Sequence, residues 1–305
     1  MIGTDLDYLR PASLSEALDM ASRHEDARFL AGGHALLPEW KLGRTRPPTL
    51  IDLGRIAELR GIEVLGGGPA PAGGAGITVR IAAMTTSAEI EHSPDIARHA
   101  PLLAEAAAVI SDPLIRNRAT LGGSVAEASP SGDWPPVVLA ADATLHLRSS
   151  DGERTVLARN FFISDGAGRS TGSTALRQGE LLTSVTVPAA DARSRSAYLK
   201  RMHPASGHAM IGVAVAATFN TDQTCHDCRI AITGTATVAT RATPAEDRLT
   251  GSRLTPEAIQ SAADAANDGI TFSGDAFGSA AYLAKLLPTY VSRALTQIAT
   301  PPTRT

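Results

Sequence analysis

Two glycine pairs in matching contexts constrain this chain more than any other feature. The first lies within Arg28–Leu37, RFLAGGHALL, where Phe29-Leu30 leads into Ala31-Gly32-Gly33-His34-Ala35 and an apolar, helix-compatible segment begins at Leu36. The second is Thr120-Leu121-Gly122-Gly123-Ser124, delivered by the apolar helical run Pro101–Ile110 and the arginines Arg116 and Arg118. A strand entering paired glycines before a helix start builds an anion cradle. Glycine lets the backbone approach a phosphate closely, and free N–H groups at the helix start point at it. One such pair usually turns a corner and nothing more. Two on one chain predict a ligand with phosphates and an extended body.

With 305 residues, of which 43% are hydrophobic, the chain can bury a sizeable core, and its length predicts two domains. A net charge of −3 without a long basic run argues against nucleic acid. The 4% aromatic content leaves few platforms for stacking bases. The N-terminus, MIGTDLDYLRP, has no basic region followed by an apolar core, and no apolar run approaches bilayer length. The expectation is a cytoplasmic protein. Cys225 and Cys228 are the only cysteines, too few for a disulfide framework or for an iron–sulfur cluster needing about four thiolates.

Along the chain, Ser13–Glu16 forms a capping box for an amphipathic helix, and Phe29-Leu30 reads as a short strand entering the first cradle. A short helix over Pro38–Leu42 stops at Gly43, and Leu50–Leu53 is another strand. Together these make a small β-α-β-like unit with the glycines at its first strand-to-helix junction. Residues 66–76, GGGPAPAGGAG, predict an irregular hairpin tip, with a strand over Thr78–Ala83. Thr86–Glu89 is a second capping box. Pro135–Ala140 reads as helical, Thr144–Leu147 and Arg154–Leu157 as strands, Asp165–Thr174 as a polar loop and Leu181–Val187 as a strong strand. A boundary falls in the small, polar stretch Ala189–Ser196. Beyond it, Tyr198–Arg201, Ile211–Phe219 and Arg229–Thr233 predict one antiparallel sheet. Helices follow over Pro256–Ala266, capped by Thr255, and Ser279–Leu295, kinked or interrupted at Pro288.

Candidate chemistry is sparse. The C-x-x-C at Cys225–Cys228 has no second pair and precedes a strand, so two hairpin cysteines are expected rather than a redox or zinc site. No Ser-His-Asp order, Walker lysine motif or HExxH occurs. His34 stands inside the first cradle, where it could donate to a diphosphate or carry a covalent link to a flavin ring. His203 and His208 flank Pro204–Gly207, a loop that could reach a ligand. A chain without its own acid–base or nucleophilic engine fits electron or hydride transfer through a bound cofactor.

Three stretches carry a family resemblance: AGGHALLPEWKLGRTRPPTLIDLGRI, IRNRATLGGSVAEASPSGDWPPVVLAADA and YLKRMHPASGHAMIGVAV. They are similar to the FAD-binding medium subunits of molybdenum hydroxylases, a family that includes the medium subunit of carbon monoxide dehydrogenase and the flavin domain of xanthine dehydrogenase. The similarity runs nearly end to end. It implies an α+β chain: a two-lobed FAD-binding domain of the vanillyl-alcohol-oxidase type over residues 1–190 (lobes about 1–55 and 56–190), a smaller α+β domain over 191–300 with an antiparallel sheet and helices, and a tail over 301–305.

It further implies that Ala31, Gly32, Gly33, His34 and Ala35 hold the diphosphate of a non-covalent FAD, with Phe29, Leu30 and Leu36 lining the same passage. Thr120, Leu121, Gly122, Gly123 and Ser124 form the second loop, against the diphosphate and one flavin face. Ile110 packs beside the cofactor, Asp133 and Lys200 approach it, and Leu182 is a weaker match to an apolar contact. The loop 201–208 covers the other flavin face, with His208 where some relatives carry an aromatic residue. Ala35 replaces a frequent hydroxyl residue, and Ser124 stands where Asn is common. No metal site is expected in the chain. A molybdopterin large subunit and a [2Fe–2S] small subunit are the implied partners, with NAD or another acceptor downstream. A stand-alone FAD-dependent oxidase or dehydrogenase and a non-catalytic assembly subunit are the alternatives.

Overall fold

Short strands alternating with helices open the chain: β1 (Asp7–Leu9), α1 (Leu14–Arg23), β2 (Arg28–Leu30), α2 (Leu36–Lys41) and β3 (Thr49–Asp52). The structure is a computed structural model that describes residues 6–69, 75–163, 173–235 and 238–300. The three strands run parallel in the order β1-β3-β2. The unit thus has one strand more than the sequence suggested, and the first glycine pair follows its second strand rather than its first. Strand β1 spans three residues, too few for an alternation to show. Ser13 Oγ accepts the Glu16 N–H at 3.2 Å, while the Glu16 carboxylate reaches back to Ala12 N–H, one residue short of a full capping box. Leu14, Ala17 and Leu18 of α1 pack against Ile51 and Leu53 to make the first core.

The second unit holds β4 (Ile62–Pro69), β5 (Ala75–Ala82), helices α3 (Ser87–Glu91), α4 (Pro94–His99), α5 (Pro101–Ala108), α6 (Pro113–Arg116), α7 (Leu121–Glu127) and α8 (Trp134–Ala140), then β6 (Thr144–Ser149) and β7 (Gly152–Leu157). A two-residue pair, β8 (Phe162–Ile163) and β9 (Ser173–Thr174), precedes β10 (Leu181–Pro188). The large sheet is antiparallel in the order β4-β5-β10-β6-β7, so the last strand in sequence is the central one. Gly66–Pro69 continue β4 and pair with β5 across a register shift, a correction to the irregular tip expected there. Residues 70–74 and most of the polar loop 165–174 lie outside the described residues. The second capping box is complete, with Thr86 Oγ1 and the Glu89 carboxylate each serving the other's backbone.

The third unit is β11 (Ser194–Met202), β12 (Ala209–Phe219), β13 (Cys225–Thr233), β14 (Thr240–Arg241), α9 (Thr243–Asp247), α10 (Pro256–Ala265) and α11 (Ala280–Ala299). Its strands form an antiparallel sheet in sequence order. Helix α11 runs unbroken through Pro288, so the expected interruption does not occur. Leu283, Leu287, Val291, Leu295 and Ile298 bury one stripe along it, and that packing outweighs the lost backbone N–H.

The layers explain why β12 reads as a continuous apolar run. Helices α5 and α8 press on one face of the third sheet and α11 on the other. A strand buried on both faces has no polar side to alternate with. Tyr198, Ala214 and Ala231 of the third unit accordingly belong to the core of the second. Cys225 and Cys228 are free and buried at the start of β13, as expected of structural cysteines.

Candidate functional site

The first glycine loop is short of partners. Among the described residues, the backbone N–H groups of Gly32, Gly33, His34 and Ala35 make no hydrogen bond. Gly33 sits at φ +78, a left-handed conformation that suits glycine. Gly32 has no room for a side chain: a Cβ there would stand 2.2 Å from the Arg118 carbonyl oxygen. His34 is exposed, with Nδ1 3.0 Å from the Gly32 carbonyl, and Ala35 precedes α2 without a side-chain cap. Phe29, Leu30 and Leu36 are half-buried around the loop.

The second loop is built differently. Leu121 N–H donates to Thr85 O (3.0 Å), Gly122 N–H to Ala83 O (2.8 Å), Gly123 N–H to Thr120 Oγ1 (3.1 Å) and Ser124 N–H to Thr120 O (3.1 Å). Its donors are spoken for, and its glycines serve close packing. A Cβ at Gly122 would meet the Ala83 Cβ at 2.4 Å, and one at Gly123 the Ala31 Cβ at 3.1 Å. The two loops therefore touch, Ala31 to Gly123 and Gly32 to Arg118. Gly123 and Ser124 remain half-exposed at the seam, whereas Leu121 and Gly122 are buried.

A second cluster forms where β11 meets the start of α8. Asp133 is the residue preceding α8, yet its carboxylate caps no helix N–H. It turns instead to the third sheet, where Oδ1 accepts the Tyr198 hydroxyl at 2.7 Å and Oδ2 the Lys200 ammonium at 2.9 Å. The Lys200 and Asp133 side chains are 2% and 7% exposed. Burial pushes the Asp133 carboxyl above its ordinary value, with Lys200 and Tyr198 opposing. Burial and the Asp133 charge hold the Tyr198 phenol well above its ordinary value. Lys200 Nζ also reaches the Val109 carbonyl at 3.3 Å, next to Ile110. Helix α5 ends at Ala108, so Ile110 lies just past it and leads into Ser111, strained at φ +43. Arg116 binds the Ile110 carbonyl at 3.2 Å and pairs with Glu91 at 2.8 Å, so its guanidinium braces the turn. His208 stands exposed nearby; the protein around its imidazole lowers its pKa, Asp133 raises it and Lys200 lowers it further.

Leu182 is 2% exposed within the core of the second unit. Tyr198 and Ser111 were not among the residues singled out from sequence. Tyr198 shares a face of β11 with Lys200 by the two-residue strand period, a signal that was available. The strain at Ser111 has no sequence signature.

The chain thus carries an open run of backbone donors, a second glycine loop wedged against it and a buried Asp–Lys pair contributed by two units. Two family models match: the FAD binding domain in molybdopterin dehydrogenase over residues 4–190 and the CO dehydrogenase flavoprotein C-terminal domain over residues 179–298. The chain belongs to this family of FAD-binding subunits of molybdenum-containing dehydrogenases, which are oxidoreductases, and FAD is its cofactor.

Among its relatives, the carbon monoxide dehydrogenase medium chain of Hydrogenophaga pseudoflava is 38% identical over 97% of both chains. The nicotine 6-hydroxylase medium subunit of Paenarthrobacter nicotinovorans is 33% identical over 95% of this chain and 96% of its own. The solved carbon monoxide dehydrogenase from Hydrogenophaga pseudoflava, in a form lacking the Mo-pyranopterin moiety, superposes with a TM-score of 0.88 at 38% identity, covering 98% of each chain. Quinoline 2-oxidoreductase from Pseudomonas putida 86 gives 0.86 at 27% identity, again over 98% of each. The expected family and α+β architecture are both borne out. No helix among the described residues is long and apolar enough to cross a membrane.

Proposed function

We propose that this chain relays electrons through FAD from a molybdenum and iron–sulfur partner to NAD or another acceptor. The observation that carries the reading is the unpaired donor run Gly32–Ala35 packed directly against the second glycine loop. A bound flavin supplies the redox chemistry that this chain's side chains lack. The chain's own residues do the rest. In this reading the amides of Gly32 to Ala35 bind the diphosphate, with the exposed His34 ring beside them, not covalently linked, its Nδ1 on the Gly32 carbonyl. The Gly123–Ser124 seam offers a hydroxyl and a flat backbone surface to the same group. Lys200 Nζ, held by Asp133 Oδ2 and Val109 O, forms with them a buried ion pair behind the ring end, and Ile110 borders it. The division at 190 follows function, with the FAD held by residues 1–190 and the ring end closed by 191–300.

The relatives named as medium chains or medium subunits of larger enzymes support separate partner chains, here a molybdopterin large subunit and a [2Fe–2S] small subunit. Two cysteines cannot supply the roughly four thiolates of a cluster, so in this reading the partner holds the clusters. Full-length chain purified alone and mixed with FAD should retain flavin absorbance through gel filtration. Its flavin should bleach on adding substrate only when the partner chains are present. Folded chain that holds no flavin would overturn the reading; bleaching by substrate without partners would replace it with a self-sufficient enzyme.

A further inference from the structure

We propose that His203 is a positioning residue, a two-sided clasp that fixes the loop 203–208 and thereby sets where His208 stands. On one side the imidazole binds its own loop: Nδ1 accepts the N–H groups of Ala205 at 3.2 Å and Ser206 at 3.3 Å. That nitrogen therefore carries a lone pair, and the proton of the neutral ring sits on Nε2. On the other side Nε2 lies 3.3 Å from Asp275 Oδ2, and the ring stands edge-on to Phe277 with centroids 4.5 Å apart. The tautomer that serves the loop is the one that donates to Asp275.

Asp275 is itself anchored. Its carboxylate accepts the N–H groups of Phe277 (2.7 Å) and Gly278 (3.0 Å), and its own N–H donates to Gly278 O at 2.9 Å. This turn rests on the start of β12, since a Cβ at Gly278 would come within 2.9 Å of Met210 Cε.

The loop is also closed on itself and held at its far end. His203 N–H donates to His208 O at 2.8 Å and Gly207 N–H to His203 O at 3.0 Å. Gly207, at φ +72, lies against Ser111, where a Cβ would stand 3.1 Å from Ser111 Oγ. Ser111 belongs to the strained turn beside Ile110, and such strain persists only where the surroundings over-determine it. The loop thus spans from the Ile110 turn on one side to Asp275 and Phe277 on the other. An otherwise irregular segment ahead of α11 gains a purpose: it carries the outer half of the clasp.

The tether stands on its own; its consequence at the flavin rests on the FAD reading. Hydrogen exchange followed by mass spectrometry on the full chain, with and without FAD, tests it. Wild type is compared with His203→Ala, His203→Asn, which puts a carbonyl oxygen where Nδ1 stands, and Asp275→Ala. Loss of one anchoring interaction should speed exchange over 204–208 about three- to tenfold in His203→Ala and Asp275→Ala. His203→Asn should restore protection at Ala205 and Ser206. In FAD-loaded chain the two alanine variants should also raise iodide quenching of flavin fluorescence. Folded alanine variants whose loop exchanges at the wild-type rate would overturn the clasp. Asp275 is largely exposed, so its alanine variant decides the matter even where His203→Ala fails to fold. A chain that takes up no FAD while the exchange changes as expected would overturn the FAD reading alone; unchanged quenching in FAD-loaded variants would overturn the loop's placement at the ring.

Discussion

The two glycine loops share a sequence signature and differ in what glycine does for them. At Gly32–Ala35 the amides are left unpaired and Gly33 takes a left-handed φ, so the backbone is arranged for a ligand. At Leu121–Ser124 every amide is bonded within the protein, and Gly122 and Gly123 are glycine because Ala83 and Ala31 occupy the space of a side chain. In the proposed reading one loop binds and the other supplies the wall on which it is built. A Gly-Gly before a helix therefore has two physical meanings, free donors or close packing, and hydrogen-bond accounting tells them apart.

Side-chain volume should break the contrast most visibly. Gly122→Ala forces a methyl group into the Ala83 backbone, an overpacking cost of about 2–3 kcal/mol. For a chain of this size that should lower Tm by roughly 3–5 °C whether or not FAD is present. Gly33→Ala meets only the flexible Leu37 side chain and the strain of positive φ, about 1 kcal/mol, while FAD affinity should fall at least about tenfold. Melting curves and FAD titrations of both variants separate the roles. Equal losses of affinity and stability in the two would erase the distinction.

Buried titratable groups gather where α5, the start of α8 and β11 meet, away from the exposed first loop, and pH probes them. Burial pushes Glu105 up to about 6, against a bond from Tyr198 N–H that lowers it. A carboxyl raised on folding binds its proton more tightly in the native state. Its contribution is therefore present below the unfolded value near 4.5 and is lost as pH rises through about 6. Glu105→Gln should remove that slope and leave the chain about 1 kcal/mol more stable at neutral pH, allowing for partial solvent screening. Urea melts across this pH range check it; an unchanged slope would place the titrating group elsewhere.

How far the sequence could be read depended on the length and polarity of each element. The long, strongly patterned pieces were legible: α1 with its cap at Ser13, β10, β12 and α11. The family was legible too, because the two glycine motifs are specific together and the similarity runs nearly end to end. What escaped were features set by tertiary contact. Strand β1 is three residues long and exists by pairing with β3. Gly66–Pro69 form a strand because β5 supplies a partner, against their own propensity. Pro288 is carried inside α11 by a buried stripe on the same helix. At the site, Asp133 and Lys200 could be named from the resemblance; Tyr198 follows from Lys200 by the strand period, but its hold on the other Asp133 oxygen shows only once β11 meets the start of α8. Two acceptors of the second loop are local, Thr120 Oγ1 and Thr120 O, but the other two, Ala83 O and Thr85 O, come from the turn after β5 and are supplied only by the fold.

Amide hydrogen exchange at the two loops, measured on the full chain before and after adding FAD, tests the division of labour most directly. The amides of Gly32–Ala35 should exchange fast in the free chain and slow markedly with FAD, while those of Leu121–Ser124 should be protected in both states. Fast exchange at Leu121–Ser124 that FAD alone suppresses, with Gly32–Ala35 unmoved, would contradict the account and reverse the two roles.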